Sequence, residues 1–424
     1  MTDTPLRVTL AAELARARAV TDAIFARLRP EALLVRPVAE RHRLVFYLGH
    51  LDAFDWNLLA RDIGGRSSSV ADWPELFAFG IDPVGDGLPT DGPEDWPNAA
   101  DIRRWILDLR REVDDVTARA PLAGWLEDGW AARMAIEHRL MHAETLEYLI
   151  RGLDPALLVD ATPPEPCGAS ATVAHWRDVP TGVATLGRRR EDAPHRGWDN
   201  EYDAHDVEVD AFRVWSRPVT CGEFARFIAE GGYSEPAFWD PTSWASLRAG
   251  GHTAPAHWRP SAAAPLGWEL RASAGWTPLP AAWPVWVSHA EAVAWCRWRG
   301  ARLMTEAEWH RAGGDDAATA SGSVRERGRA PDPSPVGTRA AGRFGVEALC
   351  ADGWEWTSTP FAPFAGFEPL PFYRGYSLNF FDGKHYVMKG ASPATDPSLI
   401  RPSFRNWFQP RYRQVFAKFR PVEA

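Results

Sequence analysis

The sequence is short of cysteine and of clustered positive charge. Four cysteines occur in 424 residues (Cys167, Cys221, Cys296 and Cys350), none in CxxC spacing. That excludes a disulfide frame and a zinc knuckle and points to reduced thiols. No block of Lys or Arg appears, and the net charge is −9 with a pI near 5.8, which excludes a nucleic-acid surface. No apolar run approaches a membrane span, and neither end carries a charged-then-apolar leader. No membrane association is therefore expected, and the expected location is cytoplasmic. There is no tandem repeat. One further absence is local: residues 67–102 contain no Lys or Arg, while Asp72, Glu75, Asp82, Asp86, Asp91, Glu94 and Asp95 make that stretch acidic.

What is present describes a globular chain, with 45% apolar and 24% charged residues, long enough for two or three domains. Residues 1–155 read as helices. Thr4-Pro5 makes a plausible start for a first helix through Leu10, Leu14, Ile24 and Leu28. A second helix is predicted from about Glu40 to Asp62, a third from about Asn98 to Ala118, and a fourth around "IEHRLMHAETLEYLI", residues 136–150. A loop rich in Gly, Pro, Asp and Trp, residues 63–97, separates the second from the third. Four such helices with one long crossover predict a bundle.

After "PPEPCGAS" the texture changes. Residues 165–424 hold most of the Gly and Pro and only two clear helical segments, 220–232 and 288–300. Short strand-like pieces such as "HDVEVDAFRVW" and "HYVMKGAS" alternate with long loops. This predicts an irregular α+β domain, with residues 313–336 as a flexible surface excursion.

His138 and His142 share one face of the fourth helix, one turn apart. His50 sits among Phe46, Tyr47, Leu51 and Phe54 on the second helix and is expected to face inward; His42, between Arg41 and Arg43, is not. Three neutral imidazoles leave coordination positions open on a metal ion. Such a site suits zinc with an activated water, or ferrous iron with dioxygen and an anionic substrate. Asp52, Asp55 and Glu144 are alternative ligands or acceptors for imidazole N–H groups.

The two halves together resemble a known combination. The first resembles a DinB-like four-helix bundle. The second resembles the formylglycine-generating-enzyme (C-type-lectin-like) α+β fold through "HDVEVDAFRVWSRPVTCGEFARFIAEGGY", "PVWVSHAEAVAWCRWRGARLMTEAEWHRAG" and "DGWEWTSTPF". Their order is that of the ergothioneine-pathway sulfoxide synthases, the EgtB type. The resemblance implies an Fe(II) cofactor on His50, His138 and His142, dioxygen as oxidant, and attachment of a chalcogen to the imidazole of hercynine. The family's Tyr-x-x-Tyr-Ser segment is "YRGYS" here. It implies Tyr373 as the proton or electron donor in the oxygen step and Tyr376 as a pocket wall. The family's "RNWD" is "RNWF", which implies Asn406 and Trp407 as hercynine contacts. "GWEWT" reads as scaffold, and the copper-binding cysteine pair used in formylglycine formation has no evident counterpart.

The departures gather around one substrate. Relatives that use γ-glutamylcysteine resemble one another in carrying arginines in the loop between the second and third helices; this loop is acidic. The Asp of "RNWD" is Phe408, and the Gln that precedes the last ligand is Met141. The expectation is therefore a retained hercynine and a changed donor, most like the selenoneine synthase branch with a selenosugar, rather than a thiol donor. Two rivals are a DinB-like zinc or nickel thiol transferase and a non-catalytic binding module.

Overall fold

The computed structural model describes residues 3–70, 72–78, 88–159, 172–191, 197–320 and 331–424. Cys167, Asp82, Asp86 and most of the inter-domain linker lie outside the described residues. The described residues fall into two compact units, one ending at residue 159 and the other starting at 172.

The first unit is helical. Its elements are α1 (Asp3–Ala26), α2 (Leu44–Asp55), a short α3 (Trp73–Leu76), α4 (Ala99–Arg119) and α5 (Trp130–Arg151). The helix of α2 runs on as wider, π-type turns over Trp56–Ile63. It starts at Leu44 rather than near Glu40, because Arg43 is extended and serves as its N-cap. α1 packs on α5 and α4, and α2 packs on α4 and α5, so the four long helices close a ring. Leu10, Leu14 and Ile24 of α1, Leu44 and Leu51 of α2, Leu109 and Val113 of α4, and Leu140, Leu146 and Leu149 of α5 are all buried. Each such side chain contributes about 1.5–3 kcal/mol on leaving water.

The second unit is α+β. One four-stranded sheet runs in the order Trp176–Val179, Phe212–Trp215, Pro421–Glu423, Ala301–Leu303. A second runs Asn406–Phe408, Tyr386–Ala391, Gly353–Pro360, Ala417–Lys418. A two-stranded pair (Gly182–Leu186 with His205–Val209) and a three-stranded sheet (Trp258–Pro260, Trp268–Ala272, Gly275–Pro278) complete it. The two expected helices are α6 (Cys221–Ala229) and α8 (His289–Trp298). Each opens on a reciprocal capping box, Thr220 with Glu223 and Ser288 with Glu291.

Further helices lie outside the two expected ones. α7 (Pro241–Ala249) is capped by Asp240, which accepts from the Thr242 and Ser243 N–H groups. α9 (Glu306–Trp309) starts at another Thr-x-x-Glu box, Thr305 with Glu308. The stretch expected to be a flexible excursion is in part ordered. Residues Asp315–Ala320 are helical, the Ser273 hydroxyl donates to Asp332, and the buried Ser334 N–H donates to Asp352; residues 321–330 lie outside the described set. Glu355 of "GWEWT" is fully buried between Lys418 (2.6 Å) and Arg420 (3.0 Å), a scaffold position.

Candidate metal centre and aromatic wall

Within the helical unit, His50 of α2 meets His138 and His142 of α5. One ligand atom from each lies within 4.8 Å of the other two, and among the described residues this is the group of metal-binding type. The Nε2 atoms of His138 and His142 are 3.1 Å apart. The His50 ring centroid is 5.3 Å from that of His138 and 4.9 Å from that of His142.

The rings are oriented by their neighbours. The Nδ1 of His50 lies 2.6 Å from the Phe77 carbonyl oxygen. Donating Nδ1–H to that carbonyl leaves the Nε2 lone pair for a metal. Phe46 stacks on His50 at 4.7 Å, and Phe54 stacks on His138 at 3.6 Å. Both phenylalanines flank His50 at i−4 and i+4 on α2, so one helix face supplies a ligand and two ring supports.

Gly49 explains how the Phe77 carbonyl comes so close. A Cβ at position 49 would lie 2.5 Å from the Phe77 ring. A helix-interior glycine costs about 1 kcal/mol relative to alanine, and here it admits the strap that orients His50.

Burial pushes the His50 imidazole down to about 4, against the opposing Phe77 hydrogen bond. Burial and the neighbouring rings hold His138 and His142 well below the ordinary imidazole range. All three are thus neutral near pH 7, the state in which imidazole binds metals. Three nitrogen donors with no carboxylate among them fit a divalent transition ion with open positions.

The carboxylates weighed beside the histidines point elsewhere. Asp52 and Asp55 bind Arg139 at 2.8 and 2.6 Å. Glu144 is buried on α5 but is not part of the three-histidine group. His42 is half-buried, tilted against Phe46 with ring centroids 4.3 Å apart, and 3.9 Å from Asp91. Asp91 itself is enclosed. Arg36 lies 2.5 Å from one oxygen, Arg43 lies 3.3 Å from the other, and the Trp96 indole N–H donates to it at 2.8 Å. Its carboxyl is buried in part, and Trp96 and Arg36 hold it below the usual range.

The second unit gathers most of the aromatic candidates. Tyr376 stacks on Trp198 at 3.9 Å and meets Trp407 edge-on at 5.3 Å. Tyr373 is half-buried, with its ring 5.8 Å from that of Tyr376. Trp407 lies flat on Phe361 at 4.3 Å and near Phe380 at 5.5 Å. Asn406, Trp407 and Phe408 form an edge strand paired with Met388, Val387 and Tyr386. Arg405, just before it, is anchored on Glu306 at 3.0 Å. Phe408 stacks on Tyr412 at 5.0 Å, apart from the Trp407 cluster. Met141 is half-buried on α5, next to His142.

The loop carrying the tyrosines is tied down by the turn at Asp199–Glu201, which the sequence does not announce. The Ser377 hydroxyl donates to Asp199 at 2.5 Å, and the Asn200 amide donates to Ser377 at 2.8 Å. Burial raises the Asp199 carboxyl to about 6. Next to it, burial would raise Glu201 as well, but Arg401 and Ser403 outweigh that and hold it at about 2. Trp198, Phe361 and Phe380 carry no signature in the sequence that separates a wall from a core.

Comparison with known proteins follows the same division. The DinB superfamily model matches residues 13–146, and the sulfatase-modifying factor enzyme 1-like domain matches residues 169–424. A protein named hercynine oxygenase from Mycobacterium tuberculosis is 36% identical over 76% of this chain and 77% of its own length. Its namesake from Mycolicibacterium smegmatis is 33% identical over the same shares. Ergothioneine biosynthesis protein 1 of Neurospora crassa is 26% identical over 92% of this chain and 55% of that one. With both modules matched in order and more than two thirds of two such relatives covered, the chain belongs to the EgtB-type hercynine oxygenase family.

Proposed function

We propose that the chain catalyses oxygen-dependent attachment of a chalcogen to the imidazole C2 of hercynine, with Fe(II) held by His50, His138 and His142. The observation that carries this reading is the convergence of three neutral imidazoles within 4.8 Å, in a chain 36% identical to a hercynine oxygenase. Ferrous iron, when bound, supplies the one-electron steps that dioxygen needs to react with a thiolate or selenolate. Joining the imidazole C2 to the donor's sulfur or selenium breaks one C–H and one S–H or Se–H bond and releases two electrons and two protons, which reduce dioxygen to hydrogen peroxide; where the product is a sulfoxide, the sulfur keeps one oxygen atom and the other leaves as water.

The protein's own groups bind and position. The faces of Trp407, Phe361 and Tyr376 suit the quaternary ammonium of hercynine, which aromatic rings attract at short range. Asn406 offers an amide beside them, and Met141 contributes an apolar surface next to the last ligand. The Tyr373 hydroxyl holds the proton or hydrogen atom delivered in the oxygen step. Replacing Tyr373 by Phe is expected to leave hercynine binding intact and divert oxygen into oxidation of the donor alone. Normal coupling by that variant overturns the assignment.

A thiol donor, as in ergothioneine biosynthesis, is the reading that the named relatives favour. One observation favours a neutral donor such as a selenosugar instead, the selenoneine synthase reaction. Residues 67–102 lack cations, and Arg36 and Arg43 are engaged by Asp91. Phe408 likewise offers a carboxylate-bearing donor nothing polar. The deciding experiment loads the protein anaerobically with ferrous iron. Hercynine with γ-glutamylcysteine, cysteine, a thiosugar or a selenosugar is then admitted to air and read by mass spectrometry. Zinc in the purified protein with oxygen-independent turnover would defeat the iron reading.

A further inference from the structure

The three histidines leave one group of charges on the same helices without a role. Arg139 follows His138 in sequence and is completely buried. Its Nη2 donates to Asp52 at 2.8 Å and to Asp55 at 2.6 Å; its Nε donates to Asp55 at 3.1 Å, and its Nη1 to the Thr21 hydroxyl at 3.3 Å. Asp52 also accepts from Arg110 at 2.9 and 3.1 Å, and Arg110 reaches Asp22 at 2.7 Å. The cluster therefore joins α1 (Thr21, Asp22), α2 (Asp52, Asp55), α4 (Arg110) and α5 (Arg139), all four long helices.

As a source of stability such a cluster is a poor choice. Removing several charges from water costs about as much as their attraction returns, and apolar replacements of similar volume are often neutral or better. What it supplies is register. Leucines between two helices tolerate a small slide or rotation, whereas a guanidinium fork that must meet two carboxylates one turn apart does not. The two helices tied by that fork are the two that carry the ligands: His50 lies two residues before Asp52, and His138 and His142 flank Arg139.

We infer that Arg139 is a positioning residue for the metal centre: bridging Asp52 and Asp55, it fixes the register of α5 on α2 and so keeps His50 opposite His138 and His142. This rests on the reading of the three histidines as a metal site. Arg139 touches neither metal nor substrate, so its role is visible in metal binding rather than in chemistry.

The test is an anaerobic titration of the full-length apoprotein with Co(II), followed by visible absorption, with urea unfolding of each apo variant. Arg139→Met alone strands the buried Asp55 and leaves Asp52 to Arg110, and is expected to unfold easily. The triple variant Asp52→Asn/Asp55→Asn/Arg139→Met removes the three charges of the fork together, leaves Arg110 paired with Asp22, and is expected to fold. Its Co(II) affinity should fall by roughly 10–100-fold, as for other groups that orient metal ligands, with altered band intensity. Arg139→Lys keeps the charge without the fork and should give a smaller loss and an intermediate spectrum. Arg133→Met, which breaks an α5–α1 pair with Glu13 at 2.8 Å, should leave Co(II) binding unchanged at similar stability. Wild-type affinity and spectrum in the triple variant or in Arg139→Lys overturn the register role alone. A wild-type protein that takes up no more Co(II) than His142→Ala overturns the metal reading, and this inference with it.

Discussion

At the scale of single residues, a glycine beside the ligands and an aspartate of the second unit are more informative than the ligands themselves. Gly49→Ala should favour the α2 helix by its propensity, about 1 kcal/mol, yet its Cβ collides with the Phe77 ring. Displacing Phe77 takes the carbonyl from His50. Metal affinity is expected to fall roughly 10–100-fold while apo stability changes little; an equilibrium titration with Co(II) measures this, and an unchanged affinity would remove Phe77 from the site. Asp199 makes a prediction about pH. Burial raises its carboxyl to about 6 from 3.8, so the folded state holds that proton more tightly than the unfolded chain. Stability from this group is complete below pH 4 and lost as pH rises toward 6. Asp199→Asn, whose amide oxygen still accepts from Ser377, should match the wild type at pH 4 and exceed it above pH 6 by up to about 3 kcal/mol. Denaturant unfolding at several pH values checks it. Glu201 acts in the opposite sense at lower pH: held at about 2, it stabilises above pH 4.5 and loses that contribution as pH falls toward 2.

These residues also mark the limit of what sequence conveys about the site. His138 and His142 were legible because helix geometry fixes where i and i+4 point, and His50 because its neighbours are apolar. The Phe77 carbonyl was not, since any residue type carries one. Arg139 was not, because a charge on an amphipathic helix reads as solvated until its partners on another helix are known. Tyr373, Tyr376, Asn406 and Trp407 entered through resemblance, and nothing in their spacing announces that Phe361 and Trp198 complete the aromatic cluster.

At the scale of elements, capping chemistry accounts for the helices that were read and those that were missed. Thr220 and Glu223 close a box at the start of α6, where the hydroxyl accepts from the Glu223 N–H at 3.2 Å and the carboxylate accepts from the Thr220 N–H at 2.9 Å. Thr220→Ala is expected to cost about 1 kcal/mol, seen as a lower urea midpoint with no change in slope. The same Thr-x-x-Glu signal stands at Thr305, and Asp240-Pro241 opens α7. Both were legible in principle, but α7, as long as α6, buries only Ser243 and Leu247 where α6 buries Cys221, Phe224, Ala225 and Phe227, and α9 is a single turn, so neither shows an apolar face. The long helices of the bundle have no such difficulty, because three or more turns of repeating apolar positions define a face.

At the scale of the whole molecule, the chain divides into a unit that holds the histidines and a unit that holds the aromatic wall. The change in Gly, Pro and Trp content near residue 160 was visible in the sequence; strand order in the second unit was not, because the C-terminal strand Pro421–Glu423 inserts between strands that occur far earlier. Binding to the folded histidines alone predicts uneven stabilisation by metal. Co(II) at a hundred times its dissociation constant should stabilise the helical unit by about 2.7 kcal/mol. Fluorescence and far-ultraviolet dichroism, which weight the Trp-rich and helical units differently, should then give separate midpoints. Coincident shifts in both signals would show that the units unfold as one.

Asp91 leaves a trace in how such a protein can change over generations. Two guanidiniums, Arg36 and Arg43, are already present on the bundle and are consumed by a carboxylate of the chain's own making. On the donor reading proposed above, a lineage moving between acidic and neutral donors need not invent a cationic receptor. Losing that one internal anion would leave both guanidiniums with backbone carbonyls alone as partners, those of Leu34, Pro89 and Asp91, and their charge uncompensated.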